Sequence, residues 1–136
     1  GGPNRAMTAS GMFCRQLDLV PPTDPRMPEG AEYLGRHMLQ QNPNYYYMYY
    51  ATLALYQHQG SVWKEWNEKL KETLPLIQKK VGPERGSWDP GGQHARAGGR
   101  VVSTTLSVLS LEVYYRLLPM YGFRGTDLPA AKQKGN

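Results

Sequence analysis

Cysteine, phenylalanine and acidic residues are scarce in this chain of 136 residues, which has one Cys, two Phe and 11 Asp and Glu against 16 Lys and Arg. The single cysteine, Cys14, excludes a disulfide framework and a cysteine-rich zinc module. Long apolar runs are also missing. The longest stretch without charge has an apolar centre of only 45–56, which is too short to span a bilayer. We therefore expect no transmembrane segment.

The N-terminus lacks the basic segment and apolar stretch of a signal peptide, and it reads Gly-Gly-Pro in place of an initiator Met. We therefore expect the chain to be a piece of a longer protein. Any targeting signal would then lie upstream, so the sequence leaves the compartment open.

The positive charge of the chain, formally +5, is dispersed along it. Its densest group includes Lys64, Lys69 and Lys71 and is interleaved with Glu65 and Glu68. Nucleic-acid binding normally requires basic residues gathered on one face, whereas alternating signs are typical of a helix face in water. We expect no nucleic-acid partner.

Proline- and glycine-rich turns divide the chain into five segments with helical periodicity. The predicted helices are Arg5–Asp18, Pro28–Gln41, Tyr45–Gln59, Val62–Lys80 and Arg100–Met120. The predicted fold class is therefore all-α, with a helical domain over 1–122 and a polar tail over 123–136.

The predicted helices are of two kinds. The third and fifth are apolar nearly all round, which is typical of helices buried on most sides, and the Ala- and Ser-rich first is expected to be buried as well. The second and fourth are apolar on one side only, as at Trp63, Trp66 and Leu70. Inner helices alternating with outer ones predict about five helices in an arc of an α/α array. The tyrosines of 45–56 also suit a strand, but the length of the segment and its Ala-Thr-Leu-Ala-Leu centre favour a helix.

The stretch from Leu74 to Trp88 resembles the Gln-to-Trp repeat of squalene-hopene and oxidosqualene cyclases, in which an apolar residue, Gln, a short spacer and Gly-x-Trp follow one another. The matching residues are Gln78, Gly86 and Trp88, followed by Asp89. In the family, this loop ties an outer helix to the next inner helix. Here the spacer is longer than usual, and the chain has one clear copy of the repeat.

Segments 98–111 and 50–55 are similar to the inner-helix pattern of the same family, and the chain as a whole resembles bacterial cyclase-repeat proteins. The resemblance implies an arc of an α/α toroid of the terpenoid cyclase and prenyltransferase type. The Asp-x-Asp-Asp cluster with which the cyclases protonate their substrate is missing from the sequence. We therefore expect a non-catalytic helical repeat module with a structural or binding role in a larger protein. The alternative is a fragment of an isoprenoid cyclase or prenyltransferase whose catalytic acid lies upstream.

The tyrosine-rich third and fifth segments contain the candidate ligand-binding residues, which are Tyr46, Tyr49, Tyr50, Tyr114 and Tyr115. Aromatic walls stabilise carbocations in the cyclases, so the resemblance implies an apolar lipid as ligand. The same side chains also suit core packing, with their hydroxyl groups at the rim. Both interpretations stay open at this point.

The remaining reactive residues indicate no further site. Asp89 and His94 suit a polar turn better than acid–base work. His37 and His58 lie near predicted helix C-termini, and Cys14 lies on the apolar first helix, where we expect a small core residue. A zinc site needs three or four ligands at defined spacing. We therefore expect no metal and no cofactor.

Inner helices that are apolar on every side leave a large exposed patch when they form only an arc. Patches of this kind mark interfaces in soluble proteins. We therefore expect association, either with the rest of a longer chain or as a homo-oligomer, with a dimer burying the third or fifth helix.

Overall fold

The computed structural model describes residues 4–39, 43–117 and 120, and for 92–96 it describes the backbone alone. Within these residues the regular structure consists of five helices and no strand, which confirms the all-α class. The helices are α1 (Arg5–Leu17), α2 (Arg26–Gly35), α3 (Tyr45–His58), α4 (Gly60–Ile77) and α5 (Gly92–Arg116). The predicted tail, 123–136, lies outside the described residues, so the predicted boundary after 122 stays a prediction.

The central helix is α3, which contacts the other four. α1 packs on one side of α3 and α5 on the other, and these two do not contact each other in the described part of the chain. α2 contacts α1, α3 and α4, while α4 also contacts α3 and α5. The contacts place α1, α3 and α5 in one row, named the inner layer after the prediction, and α2 and α4 in a second row, named the outer layer.

The bounds of α3 follow from two local signals. The Asn44 side chain accepts a hydrogen bond from the backbone N–H of Tyr47 at 3.2 Å, as an N-cap does. At the other end, Gln59 and Gly60 both have positive φ angles, 63° and 84°, so the chain turns at once into α4. α4 begins at Gly60 without a side-chain cap.

Burial of α3 is nearly complete, and polar side chains fasten it to its neighbours. The indole N–H of Trp66 donates to the Thr52 hydroxyl at 2.9 Å, and that hydroxyl donates to the carbonyl of Met48 at 2.7 Å. From α1, the buried amide of Gln16 donates to the carbonyl of Ala54 at 2.9 Å. Because a buried donor left unpaired costs free energy, these bonds fix how α1 and α4 lie against α3.

The orientation of α1 differs from the one expected, because only one side of this helix is buried. The buried residues are Ala9, Met12 and Gln16. Cys14 is exposed, so the expectation that it is a small core residue is wrong. The physical reason is that the polar Gln16 enters the core to bond α3, and the opposite side of the helix, including Met7, then faces solvent.

α5 also buries only one side, so the prediction that it is buried on most sides is wrong. The buried side carries Ser103, Ser107, Ser110 and Val113. The hydroxyl of Ser107 donates to the carbonyl of Ser103 at 2.8 Å, so the polar group is satisfied inside the helix and α3 can approach closely. The opposite side is exposed at Val101, Val108 and Tyr115.

The bounds of α5 also differ from the predicted 100–120. The helix begins at Gly92, within a stretch predicted as a turn, and ends at Arg116. Its helical geometry is interrupted at Gly99, whose φ of 65° and ψ of −158° lie outside the helical region. Glycine adopts such a positive φ without a steric penalty. The predicted start is therefore the point at which the helix resumes after this break.

The outer helices α2 and α4 each bury one side, as predicted. In α4 the buried side carries Trp63, Trp66, Leu70 and Leu74. α2 begins at Arg26, earlier than predicted, and the backbone N–H of Arg26 donates to the Asp24 carboxylate at 3.0 Å. It ends at Gly35, short of the predicted Gln41.

Candidate functional site

The five tyrosines predicted to bind a ligand do not form one wall. Tyr46 and Tyr50 have ring centroids 4.7 Å apart, and Tyr50 meets Phe13 of α1 edge-on at 6.5 Å. These two tyrosines therefore lie on the α1 side of α3. Tyr49 meets Tyr50 edge-on, with ring centroids 5.5 Å apart, and also lines a groove between α3 and α5.

Tyr114 and Tyr115 lie at the C-terminal end of α5 and are 54% and 81% exposed. Their rings meet edge-on, with centroids 5.2 Å apart. Neither of them lines the groove. Of the five predicted residues, the structure therefore places one, Tyr49, at this groove, and the ligand-binding role of the set stays a prediction.

The groove between α3 and α5 has a volume of about 280 Å³. Its apolar walls are formed by Tyr49, Leu53, Leu109, Val113 and Leu117. On each helix these residues are about one turn apart, so each helix contributes one side. Since pockets for drug-sized ligands have volumes of roughly 300–1,000 Å³, the groove suits a short apolar chain or a single ring.

Two charged side chains complete the lining of the groove. Arg116 and Glu112 form an ion pair at 2.7 Å, in which the Arg116 side chain is largely exposed and that of Glu112 is partly exposed. The hydrogen bond that Arg116 donates to Glu112 raises the pKa of Arg116, and Tyr49 adds a smaller electrostatic contribution in the same direction. An exposed pair of this kind contributes little to stability, but it gives the groove a polar edge without net charge.

Two tyrosines outside the predicted set tie α3 to its neighbours. The hydroxyl of Tyr47 donates to the carbonyl of His37, just after α2, at 2.8 Å. The hydroxyl of Tyr56 donates to the carbonyl of Leu117, at the end of α5. Burial raises the pKa of both phenols, which keeps them protonated as donors. Both side chains therefore serve packing and hydrogen bonding.

The residues of the predicted repeat motif lie at the junction of α4 and α5. The Gln78 side-chain amide donates to the carbonyl of Gly86 at 2.9 Å. The indole N–H of the buried Trp88 donates to the carbonyl of Leu74 in α4 at 2.8 Å, and its backbone N–H donates to the Thr104 hydroxyl of α5 at 3.2 Å. These bonds tie the end of α4 to α5. The assignment of these residues to the cyclase repeat stays a prediction.

The long spacer between Gln78 and Gly86 folds back on itself. The backbone N–H of Gly86 donates to the carbonyl of Lys79 at 2.8 Å, and the N–H of Lys79 donates to the carbonyl of Ser87 at 2.9 Å. Gly82 and Gly86 adopt φ angles of 77° and 85°, which only glycine takes readily. The extra residues thus form a closed loop that leaves Gln78 beside Gly86.

Asp89 bridges two cations that flank this loop. Its carboxylate lies 2.8 Å from Lys79 Nζ and 2.6 Å from Arg100 Nη2. Arg100 also contacts Glu84 at 2.9 Å and the Ser87 hydroxyl at 3.0 Å. The pKa of Asp89 is lowered, first by the hydrogen bond from Lys79 and then by that from Arg100. A carboxylate paired in this way is suited to holding the loop and not to accepting a proton.

The other reactive residues have local contacts. Nδ1 of His37 lies 2.7 Å from the carbonyl of Tyr33, whereas the side chain of His94 lies outside the described residues. Over the part of the chain that the structure describes, no group of three or more His, Cys, Asp or Glu side chains could hold a metal ion. None of the described helices is long and apolar enough to cross a membrane.

Sequence reasoning missed most of the groove residues. Leu53, Leu109 and Val113 lie at helical spacing within apolar segments, and such residues are expected in a core. A weak signal is the pair Glu112 and Arg116, because these are the first charged residues after the uncharged stretch 101–111, and they border the groove.

No protein-family model, curated protein or solved structure matches this chain. The resemblance to the cyclase repeat therefore rests on the residues of 74–89 and of the inner-helix segments alone.

Proposed function

We propose that this chain is a non-catalytic helical repeat module, an arc of an α/α toroid of the terpenoid cyclase and prenyltransferase type, that serves as a scaffold in a larger assembly. The observation that carries the proposal is the alternation of layers along the chain. Inner helices α1, α3 and α5 are separated in sequence by outer helices α2 and α4. Repeat proteins are built in this way, with each unit burying its apolar side on the next.

The junction between α4 and α5 supports the same proposal. Gln78, Gly86 and Trp88 are the residues that match the cyclase repeat, and their hydrogen bonds join an outer helix to an inner one. This is the task that the loop performs in the cyclases. The residues on which the resemblance rests therefore stabilise the helix array, and no catalytic role is needed to explain why they are present.

The groove between α3 and α5 favours a second candidate function, the binding of an apolar ligand. Its walls are apolar and include Tyr49, one of the predicted ligand-binding residues. In this case the chain would belong to an isoprenoid cyclase or prenyltransferase whose catalytic acid is supplied from another part of the protein. The volume of about 280 Å³ accommodates only a short part of such a lipid.

A lipid-binding experiment separates the two functions. The chain is titrated with squalene and with a polyprenyl diphosphate, and binding is followed by thermal shift and native mass spectrometry. For a scaffold we expect no saturable shift. The Tyr49→Ala variant, at the groove, is compared with Tyr115→Ala, outside it. Saturable one-to-one binding that is lost in Y49A and kept in Y115A would replace the scaffold function by the lipid-binding one.

A further inference from the structure

The turn between α3 and α4 is strained at Gln59. This residue alone separates the two helices, and its φ of 63° and ψ of −164° lie in a region of backbone conformation that essentially only glycine occupies. Gly60 follows with a φ of 84°, which glycine adopts without a steric penalty. The chain therefore reverses direction at a residue that is held in an unfavourable conformation.

The hydrogen bonds of Gln59 do not by themselves keep the turn closed. Its backbone N–H donates to the carbonyl of Leu55 at 2.9 Å, and its side-chain amide donates to the carbonyl of Tyr56. Both acceptors belong to the last turn of α3, so neither bond involves α4. The packing of α4 on α3 is therefore what holds the turn closed.

The contacts of α4 with α3 are made by side chains. The indole N–H of the buried Trp66 donates to the Thr52 hydroxyl at 2.9 Å, and the Trp66 ring meets that of Tyr47 edge-on at 5.9 Å. The rings of Trp63 and Tyr56 meet edge-on at 5.2 Å, so α4 runs back along α3. The same contacts form equally well when the two helices belong to different copies of the chain.

α4 and α5 are joined to each other by bonds that do not involve α3. On the loop between them, Trp88 donates its indole N–H to the carbonyl of Leu74 in α4 and its backbone N–H to the Thr104 hydroxyl in α5. Residues 60–117, called the α4–α5 unit, can therefore leave α3 as one body. On a second copy, the unit remakes all its contacts with α2 and α3.

The hinge sequence permits an open form in which α3 and α4 continue as one helix over 45–77. Residues 57–62 contain no proline, so they can all be helical. Gly60 weakens such a helix, but Gln59 is released from its strained conformation. Since the other contacts are the same in the closed copy and in an exchanged pair, the turn decides between the two forms. Short turns under strain favour an exchange of this kind.

We propose that the turn at Gln59 and Gly60 is a hinge, and that its opening exchanges the α4–α5 unit between two copies of this chain. In the exchanged dimer, the α3 of each copy is covered by the α4 and α5 of the other. The proposal goes beyond the scaffold function and does not depend on it, because the closed copy and the exchanged dimer contain the same array of helices.

The first test changes the two hinge residues in opposite directions. Gly60→Ala penalises the closed turn, because alanine does not readily adopt a φ of 84° and favours a continuous helix. A Cβ at this position has nothing within 4 Å, so overlap with neighbouring atoms does not contribute. Gln59→Gly instead relieves the closed turn. Because each dimer has two hinges, G60A should raise the dimer association constant by about tenfold or more, and Q59G should lower it by a similar factor.

The measurement is the ratio of monomer to dimer after unfolding and refolding at a series of protein concentrations, by size exclusion with light scattering. The dimer fraction of the wild type should rise with concentration. The matched control is Gly82→Ala, where φ is 77° and a Cβ again has nothing within 4 Å. Its loop lies inside the α4–α5 unit and is the same in both forms. G82A should therefore lower stability and leave the ratio unchanged.

The second test distinguishes exchange from ordinary association by a distance within one copy. With Cys14, the only cysteine, replaced by serine, Tyr46→Cys and Lys71→Cys place spin labels near the start of α3 and near the end of α4. Because α4 runs back along α3, the labels are close together in the closed copy. In one continuous helix their positions are about 38 Å apart, at about 1.5 Å per residue. Double electron–electron resonance on labelled copies diluted with unlabelled ones should show this distance in the dimer alone.

Three outcomes would overturn the proposal. One is that the wild type and G60A both stay monomeric after refolding at every concentration, with intact helical circular dichroism. Another is a dimer in which the distance between the labels is that of the monomer, which would mean that copies associate without exchange. The third is a G82A variant that shifts the ratio as far as G60A does. None of these bears on the scaffold function, which fails only if the chain binds lipid saturably in the groove.

Discussion

Two helices of the inner layer, α3 and α5, are built from the same kinds of residues and have opposite relations to solvent. Both have long uncharged stretches. α3 has neighbours on every side, whereas α5 leaves Val101, Val108 and Tyr115 exposed. The place of a helix in the layer, more than its composition, therefore decides how much of it is buried.

The difference in burial between α3 and α5 is tested most strongly by truncating one apolar side chain on each helix. Leu55 of α3 is fully buried, so Leu55→Ala should lower the free energy of unfolding by about 2–5 kcal/mol through lost contacts and the cavity left behind. Val108→Ala on the exposed side of α5 should stay within about 0.5 kcal/mol of the wild type. The measurement is denaturant unfolding. Equal losses for the two variants would contradict the exposure of this side of α5.

A pair of tyrosine variants sharpens the comparison at alkaline pH. Burial raises the pKa of Tyr47, so above about pH 10, where the unfolded phenol ionises, the folded state binds more protons. Stability therefore falls as the pH rises above that value. Tyr47→Phe should make this fall less steep, and at neutral pH it should lose about 0.5–1.5 kcal/mol with the hydrogen bond to His37.

Tyr115→Phe, on the exposed side of α5, is the matched control. Denaturant unfolding at neutral pH and at a series of alkaline pH values should give wild-type stability for it throughout. If the stability of Y47F fell as steeply with rising pH as that of the wild type, groups other than Tyr47 would cause the loss of stability.

The smallest effect is expected at the entry to α5, where Asp89 pairs with Lys79 and Arg100. The pKa of Asp89 is lowered by these partners, so its contribution to stability is present at neutral pH and is lost as the pH falls below its ordinary value near 4. Asp89→Asn should therefore lower the melting temperature slightly at neutral pH and leave it unchanged in strong acid.

Glu65→Gln, which removes one negative charge from the solvent face of α4, is the control for net charge. Thermal unfolding at both pH values measures the difference. If the melting temperature of D89N stayed below that of the wild type in acid, packing at the loop, and not the ion pairs, would be responsible.

Much of the fold could be predicted from the sequence, because the residues that start and end its helices are close to them in the chain. Asn4 and Asn44 cap the two helices whose starts are predicted correctly, each accepting backbone N–H groups of the first turn. The rotation of α1 could not be predicted, because apolar periodicity does not anticipate that a glutamine enters the core. The helix break at Gly99 could not be predicted either, because a glycine-rich stretch is compatible with both a turn and an interrupted helix.

The groove between α3 and α5 was harder to predict from the sequence than the helices. It forms where Leu53 and Tyr49 of α3 fail to close completely against Leu109 and Val113 of α5. That gap depends on the distance between two helices, which in turn is set by the buried serines of α5. A list of aromatic residues carries no information about this distance.

The direct turn at Gln59 and Gly60 has a consequence for the order in which the molecule folds. It places the partners of the α3–α4 contact close together along the chain, with Trp66 and Thr52 only 14 residues apart. The bonds that hold α1 and the end of α5 join residues separated by 38 and 61 positions. Because loop closure costs less entropy for short separations, we expect α3 and α4 to pack together first and α1 and α5 to join them later.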